Sequence, residues 1–241
     1  MISWEVLAQA ARKSQASELN IAREYCQNLF LGAFYREDGS ERVMFKGGTA
    51  LRIIYGSPRF SEDLDFSGFR VSKAEIEDYV ASGASELERT GIPVSITESK
   101  LASGGYLAIL TCAVRQLPVH IQIEVSLRRR NDVQGRGVLV TPDLLPAYTL
   151  TQLPEQLLVE EKLEALKTRS KPRDYFDVYF MLRKGLIPTD MKSHLEQTKD
   201  ALLSATMDFG QELGPFIPRS HASVVRDLRT NLLQEMERHG I

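Results

Sequence analysis

The chain has 241 residues, of which 43% are hydrophobic and 26% are charged, a composition typical of a globular protein with one or two domains. Cys26 and Cys112 are the only cysteines and lie in no metal-ligand spacing, so neither a disulfide framework nor a zinc site is expected. The formal net charge is −2 and the isoelectric point about 6.1. These values exclude a protein that binds nucleic acid through an overall positive charge, so any contact with nucleic acid must involve a local basic patch.

The distribution of apolar residues predicts a cytoplasmic protein that does not span a membrane. No basic region followed by an apolar run occurs near Met1, as a secretory signal would require. No run of about 18 apolar residues, the length needed to cross a bilayer, occurs elsewhere in the sequence.

The first half of the chain is predicted to combine helices with a mixed sheet. Helical spacing and end signals predict helical regions over residues 4–35, 49–55 and 73–90. Apolar runs predict strands over residues 42–46, 64–67, 94–97, 106–114 and 119–127. Turns are expected at Gly104-Gly105 and Leu117-Pro118.

After Pro142 the strand-like alternation ends and long helical patterns follow. Helices are predicted over residues 155–168, 172–184, 191–209 and 224–239, with Asp190 as the N-cap of the third. We therefore expect a sheet core with N-terminal helices over residues 1–145 and a helical region over residues 146–241. The two are expected to pack as one compact unit with a cleft between them.

Two aspartates in the segment Asp63-Leu64-Asp65 form the first candidate site. Residues two apart on a strand point to the same face, so both carboxylates are expected in one small space, with Leu64 directed into the core. Their mutual repulsion is relieved by a cation, and hard carboxylate oxygens suit Mg²⁺. The same short pattern also occurs in exposed strands without a function, so its weight depends on the neighbouring motifs.

A glycine pair stands between a predicted strand and a predicted helix. Gly47 and Gly48 let phosphate oxygens approach the backbone, and the N–H groups at the start of the helix, around Thr49, favour an anion. The alternative is a tight turn that binds nothing. The segment lacks the Gly-Lys-Ser/Thr ending of a P-loop and the third glycine of a dinucleotide-binding fingerprint.

Glu124 is the candidate third carboxylate. It lies on a predicted strand in which Gln122, Glu124 and Ser126 share one face, while Ile123 and Val125 share the other. In one interpretation Glu124 completes a metal site with the two aspartates. In the other, this is the solvent face of an edge strand.

Two clusters of basic residues are candidates for contact with phosphates. Arg128, Arg129 and Arg130 form a run that either makes a local nucleic-acid contact or is a solvated surface. The second cluster consists of Lys162, Lys167, Arg169, Lys171 and Arg173.

Lys162 lies on the apolar face of a predicted helix, so its ammonium group needs a partner. A nucleoside triphosphate is one such partner, and extension of the side chain to solvent is the alternative. Asp174 and Asp177, one helical turn apart, are positioned to pair with Lys162 or Arg169, although Asp174 also suits a helix cap.

Taken together, these segments resemble the AbiEii-type, or MenT-like, nucleotidyltransferase toxins. The resemblance is carried by residues 45–52 (FKGGTALR), residues 59–66 (RFSEDLDF), Lys162 and residues 171–177 (KPRDYFD). It covers about residues 40–185 in order, and the combined spacing is more specific than any single piece. It implies an α+β, polymerase-beta-like nucleotidyltransferase fold with a mixed sheet and a helical C-terminal region.

The resemblance also assigns roles to individual residues. It assigns nucleotide binding to Gly47, Gly48, Thr49, Ser61, Lys162 and Arg173. It assigns metal binding to Asp63 and Asp65, with Glu124 as the third acid at a position where the family varies. It assigns catalytic roles to Asp63, Asp65, Glu124, Lys162 and Asp174.

For function, the resemblance implies a toxin of a type IV toxin–antitoxin or abortive-infection system, with a winged-helix antitoxin as partner. It implies transfer of nucleotides from an NTP to RNA, notably the tRNA 3′ end, with Mg²⁺ or Mn²⁺ as the cofactor. Protein nucleotidylation or self-nucleotidylation is an alternative that uses the same chemistry. A non-catalytic module that binds a partner protein is another, against which the intact Asp63, Asp65 and Lys162 argue.

Overall fold

The computed structural model describes residues 2–129, 132–204 and 207–241. By its internal contacts the chain forms two compact units, one of residues 1–56 and 60–154 and one of residues 57–59 and 155–241. The first contains all the strands of the sheet described below, and the second is built mainly from helices. No helix in the described ranges is long and apolar enough to cross a membrane.

The first unit contains four helices in its described part: α1 (Trp4–Ser14), α2 (Glu18–Phe34), α3 (Gly47–Tyr55) and α4 (Lys73–Arg89). Local signals explain where they begin and end. Ser17 caps α2 by accepting from the Asn20 N–H, and Ser72 with Glu75 forms a capping box at α4. Gly56 ends α3 in the left-handed conformation that glycine adopts without steric cost.

The strands of the first unit are β1 (Val43–Lys46), β2 (Leu64–Phe69), β3 (Val94–Ala102), β4 (Gly105–Val114), β5 (Leu117–Arg128), β6 (Arg136–Val140) and β7 (Tyr148–Gln152). In the described residues they form one sheet in the order β3-β4-β5-β2-β1-β7-β6. The sheet is mixed, because β2 runs parallel to β5 and β1 parallel to β7, while the other neighbours are antiparallel. The predicted mixed sheet with antiparallel strands is confirmed.

One face of the sheet packs against α2 and α4 through aromatic rings. The ring of Phe34 on α2 stacks on Phe66 of β2 with centroids 5.2 Å apart, and meets Tyr79 of α4 edge to face at 5.4 Å. Phe45 of β1 joins the same cluster. Burying these large side chains supplies much of the hydrophobic driving force for this unit. The opposite face of β5 carries exposed and half-buried residues.

The helices of the second unit are α5 (Glu155–Arg169), α6 (Pro172–Arg183), α7 (Glu196–Ser204), α8 (Phe209–Leu213), α9 (Ala222–Arg226) and α10 (Leu228–Arg238). Pro172 at the first position of α6 supplies a preset helical φ where its missing N–H costs nothing. The core of this unit includes the fully buried Tyr175 and Phe176 of α6.

Several predicted elements differ from the structure. Leu117-Pro118 is not a turn but the start of β5, where Pro118 pairs with Ala113. The turn lies at residues 115–116, where Arg115 adopts a φ of 61° without a glycine to signal it. β6 was not predicted, and β7 follows residue 146, where the helical region was expected to begin. Both strands have only five residues, too few for a clear alternation.

The two later helical predictions were too long. Residues 189–195 form a 3-10 helix before α7, and Asp190 lies inside it, since its N-cap is Pro188. The predicted cap at Asp190 is therefore wrong. The last predicted helix is divided at Asp227 into α9 and α10.

Candidate active site

A row of residues crosses four neighbouring strands on the sheet face opposite α2 and α4. Lys46 of β1 is the Cα partner of Asp65 on β2, Asp65 that of Glu124 on β5, and Glu124 that of Leu107 on β4. Cα partners on adjacent strands direct their side chains to the same face, and adjacent strands lie about 4.8 Å apart. The structure therefore brings Glu124 beside Asp65, although the two are far apart in sequence.

Gly47 begins α3 directly after Lys46, and its environment admits no side chain. Its φ is +83°, a region that residues with a Cβ rarely adopt. A Cβ at this position would overlap the Asp65 carboxylate and lie 2.7 Å from its Cγ. The carboxylate of Asp65 thus lies against the backbone at the first turn of α3, where N–H groups have no partner within the helix.

Asp63 is linked to the same helix through the backbone. The Thr49 hydroxyl on α3 donates to the Asp63 carbonyl oxygen at 2.5 Å, and Thr49 is only 1% exposed. Asp63 precedes β2 and Asp65 lies within it. Both are half-buried, while Leu64 between them is fully buried. The predicted alternation at this motif is therefore present.

The loop that carries Ser61 is held by a side chain from α2. The Gln27 amide donates to the carbonyl oxygens of Ser61 and Glu62, at 3.0 and 3.1 Å, and Gln27 is 2% exposed. Arg23, one turn earlier on α2, pairs with the Glu62 carboxylate at 3.0 Å. The α2 helix is thus more than a hydrophobic scaffold, because its polar residues fix the segment leading into Asp63.

Glu124 lies on the exposed face of β5, as its alternation predicted. Val125 and Ile123 are buried, whereas Glu124 is exposed and Ser126 half-buried. The Gln122 amide donates to the Glu124 carboxylate from two positions away on the same face.

The oxygen ligands present suit Mg²⁺ in one of its common coordination modes. No three His, Cys, Asp or Glu side chains in the described residues are grouped closely enough to hold a metal ion by themselves. Mg²⁺ is usually bound by one or two carboxylates together with water and substrate phosphates. Asp63 and Asp65, beside a helix start that favours phosphate, fit that mode.

In the second unit, Lys162 belongs to a buried ion cluster. Its ammonium nitrogen lies 2.6 Å from Asp177 Oδ2, and its side chain is 12% exposed, so extension to solvent is excluded. Arg59 donates to both oxygens of the same carboxylate, from Nε to Oδ1 at 2.9 Å and from Nη2 to Oδ2 at 3.0 Å. The predicted pairing of Lys162 with Asp177 is confirmed, and two cations share this single carboxylate.

The charge of Asp177 is stabilised by those two cations. Burial by itself raises the pKa of the carboxyl, but the neighbouring charges of Arg59 and Lys162 outweigh it and lower the pKa below its ordinary value. Asp177 is therefore ionised at neutral pH. The ion pair with Asp177 fixes the direction of the Lys162 side chain, because its ammonium group points to the Asp177 carboxylate.

Asp174 both caps α6 and pairs with Arg169. Its Oδ2 accepts from the Lys171 N–H at 3.2 Å, and its Oδ1 accepts from the Arg169 guanidinium at 2.7 Å. Both interpretations of Asp174 drawn from the sequence are thus confirmed. Arg173, the neighbouring member of the motif, is half-buried.

The basic run at the end of β5 is described only in part. Arg128 lies on the face of Glu124 and Ser126, four and two residues away, and its Nε donates to the buried Ser67 hydroxyl at 3.4 Å. Arg129 is exposed. Arg130 lies outside the described residues.

Sequence reasoning missed two residues that organise these clusters. Arg59 was visible only as part of a resemblance motif, and its partner Asp177 is 118 positions away. Gln27 lies in the predicted helical region of residues 4–35, and its side chain reaches the loop 34 positions later. The available signal is the seven-residue spacing from Gln27 to Phe34, which places a polar residue on an apolar helical face.

Two solved structures are similar to most of the chain. JHP933 from Helicobacter pylori matches with a TM-score of 0.67 and 18% identity, covering 93% of each chain. A candidate nucleotidyltransferase from H. pylori matches with a TM-score of 0.66 and 18% identity, covering 92% of this chain and 95% of that one. At this identity the likeness shows the fold alone, and that fold is one found among proteins of nucleotidyltransferase type.

The family model described as the nucleotidyl transferase AbiEii toxin of type IV toxin–antitoxin systems matches residues 29–237. The chain belongs to this family, as its motifs predicted. No functionally curated protein matches the sequence.

Proposed function

We propose that the chain transfers a nucleotide from a nucleoside triphosphate to RNA, with a divalent cation, Mg²⁺ or Mn²⁺, as cofactor. The 3′ end of tRNA is the acceptor that the family resemblance indicates. The polymerase-beta-like variant of the nucleotidyltransferase fold belongs to the same proposal.

The close approach of Asp65 to Gly47 carries this proposal. Phosphate oxygens are favoured at a helix N-terminus because its N–H groups and positive dipole end face them. A carboxylate at the same place repels phosphate unless a cation lies between the two. Asp65, packed against the Gly47 backbone, therefore makes chemical sense as the ligand of a phosphate-bound cation.

Different residues of the first unit are proposed to bind the phosphates and the cation. The backbone at Gly47 and Gly48 and the hydroxyl of Ser61 contact the phosphates, while Thr49 holds the Asp63 backbone in place. Asp63 and Asp65 hold the cation. When bound, the cation offsets phosphate charge and polarises the phosphoryl oxygens.

The transfer itself exchanges one phosphorus–oxygen bond for another. The acceptor hydroxyl oxygen forms a bond to the α phosphorus, the bond from that phosphorus to the bridging oxygen breaks, and pyrophosphate leaves. Glu124, exposed and adjacent to Asp65, is the base proposed to receive the acceptor proton.

Lys162, Arg173 and Asp174 are proposed to have the roles that the family resemblance implies. Lys162 neutralises triphosphate charge and Arg173 contacts the nucleotide, as the family motifs imply. Asp174 orients the Arg169 side chain and the start of α6. Lys162→Ala is expected to weaken nucleotide binding measured by calorimetry, whereas unchanged affinity would assign Lys162 a purely structural role with Asp177.

The proposed biological role is that of a toxin controlled by an antitoxin encoded nearby. The family belongs to type IV systems, and the winged-helix antitoxin is the partner implied by the resemblance. A neighbouring reading frame for a small DNA-binding protein supports this role, and its absence favours a solitary transferase.

The transfer proposal is tested with Asp63→Ala. Purified protein is incubated with each radiolabelled NTP, Mg²⁺ and total RNA, and label in RNA and in protein is measured separately. We expect wild-type protein to label RNA and the variant to label nothing while keeping its circular dichroism spectrum. Asp78→Ala, which removes an exposed aspartate of α4, is the control and should retain activity.

Three results would contradict the proposal in different ways. Full activity of Asp63→Ala removes the metal assignment. Label found only in protein favours protein nucleotidylation. Absence of both labelling and metal-dependent nucleotide binding favours a partner-binding module.

A further inference from the structure

A small cavity lies next to Glu124, on the side away from Asp65. Its volume is about 190 Å³, and all its lining residues belong to the first unit. Glu124 and Ser126 of β5 form one wall, and Leu107 with the turn at Gly104 and Gly105 forms the other. The cavity therefore borders the carboxylate that is proposed to receive the acceptor proton.

The shape of this cavity depends on a close approach between two strands. A Cβ at Gly105 would overlap the Val125 carbonyl oxygen and lie 3.3 Å from the Ser126 Cα. Only glycine lets the β3–β4 turn lie this close to β5. The turn is thus fixed against the wall that carries Glu124 and Ser126.

The lining chemistry excludes phosphate and favours a neutral group with hydroxyls. None of the described lining residues is lysine or arginine, and Glu124 contributes a negative charge. Carboxylates accept strong hydrogen bonds from hydroxyl groups, and Ser126 can donate or accept. A phosphate here would meet repulsion without compensation.

The size and the absence of an exposed aromatic ring favour a sugar over a base. Pockets for drug-sized ligands occupy about 300 to 1,000 Å³, so this cavity suits a fragment such as one sugar ring. Proteins hold unpaired bases mainly by stacking on aromatic rings. Tyr106, the one aromatic residue of the lining, is 2% exposed, while half-buried Leu107 offers the flat apolar contact that a ribose can use.

We propose that this cavity, resting on the transfer function above, binds the terminal ribose of the RNA acceptor. In this arrangement Glu124 and Ser126 bond the 2′- and 3′-hydroxyls, and Leu107 packs on the sugar ring. Glu124 lies between the cavity and Asp65 in the transverse row of the sheet. The cavity thus recognises the ribose and places its hydroxyl beside the carboxylates of Glu124 and Asp65.

The test measures RNA binding directly, so it does not depend on transfer. A 5′-fluorescein single-stranded RNA of about ten nucleotides, within the usual site size for such strands, is titrated in Mg²⁺ without NTP by fluorescence anisotropy. A second RNA carries a 2′,3′-dideoxy terminal nucleotide. Leu107→Trp fills the cavity. Ile109→Trp is the matched control, because Ile109 lies two residues along the same face of β4, opposite Gln122 and outside the cavity.

We expect Leu107→Trp to weaken binding of the normal RNA about tenfold, the effect of losing one or two hydrogen bonds to a charged group. The dideoxy end should weaken wild-type binding to a similar degree and leave Leu107→Trp binding unchanged. Ile109→Trp should behave as wild type. Equal behaviour of the two tryptophan variants, or no binding of RNA by wild-type protein, would overturn the inference.

A parallel labelling assay separates this inference from the proposed function. If RNA binds through the cavity but no nucleotide is transferred, the transfer proposal fails and the ribose site stands. If nucleotide is transferred to RNA while both tryptophan variants keep wild-type affinity, the ribose site fails alone.

Discussion

At the residue scale, the most informative contact is the carboxylate of Asp177 with its two cations. Asp177 is 2% exposed in its side chain, and Arg59 and Lys162 reach it at 2.8 and 2.6 Å. Breaking such a buried cluster by removing one member commonly costs about 3 to 5 kcal/mol, because the remaining charges stay buried without compensation. Asp177 therefore constrains both Lys162 and the start of the segment 59–66.

Asp177→Asn is expected to lower the free energy of unfolding at pH 7 by about 3 to 5 kcal/mol. The folded pKa of Asp177 is lower than the unfolded one, so its contribution is fully present above the unfolded pKa. It is lost as the pH falls through the folded pKa. The difference between wild type and variant should therefore shrink below about pH 4, near the ordinary pKa of aspartate.

Urea unfolding at several pH values measures this difference. Asp190→Asn is the control, since Asp190 is exposed and lies in the same unit, and it should change stability little. A stability difference for Asp177→Asn that is the same at all pH values would contradict the assigned cause.

At the scale of elements, α2 supports the loop that leads into Asp63. Its C-terminal half buries Phe30 and Phe34 in the core, while Gln27, seven residues before Phe34 and therefore on nearly the same face, donates to two loop carbonyl groups. Buried polar groups are normally hydrogen-bonded. Removing the Gln27 amide takes this donor away from the carbonyl oxygens of Ser61 and Glu62. The loop before Asp63 is thus held in place by the Gln27 side chain of α2.

Gln27→Leu is expected to lower the apparent affinity for Mg²⁺ in nucleotide transfer while the protein remains folded. The stability cost should be about 1 to 3 kcal/mol from the unsatisfied carbonyls. The Mg²⁺ concentration for half-maximal transfer should rise, because Asp63 follows the loosened loop. A magnesium titration of activity with thermal unfolding of the same samples measures both effects.

Asn28→Leu provides a matched control on the same helix. Asn28 is also a buried amide, but it bonds Glu24 and Tyr148 rather than the loop. It should lose comparable stability and keep the wild-type magnesium midpoint. Equal shifts of the midpoint in both variants would show that Gln27 acts only through overall stability.

At the scale of the whole molecule, the two units are not simple consecutive halves of the chain. Residues 57–59 group with the second unit, although the residues on either side of them group with the first. The family match spans both units, from residue 29 to residue 237. The segment that leads into the Asp63 motif therefore begins in one unit and ends in the other.

Nucleotide and metal together are expected to stabilise the protein through their binding to the folded state. At one hundred times the dissociation constant, a ligand adds about 2.7 kcal/mol, which corresponds to a rise in Tm of roughly 5 to 10 °C for a chain of this size. Differential scanning fluorimetry with NTP and Mg²⁺, and then with a chelator, measures the rise and its reversal. Asp63→Ala should show no rise. A rise of equal size in that variant would place the ligand elsewhere.

The sequence alone determined the local features. It predicted the helix at residues 49–55 and the alternation around Leu64, because glycine conformations and strand periodicity act over a few residues. The ordered motifs around Gly47 and Asp63, with Lys162, also predicted the family, since their combined spacing is specific. The short strands β6 and β7 escaped prediction because their stability comes from neighbours in the sheet rather than from their own pattern.

Only the tertiary structure decided which distant residues meet. The register of β2 with β5 places Asp65 beside Glu124, and that of β4 with β5 places Glu124 beside Leu107. The fold also brings Arg59 to Asp177 and Gln27 to the Ser61 loop. These contacts arise because strand pairing and burial select partners by position in the folded core, and a linear pattern contains no such positions.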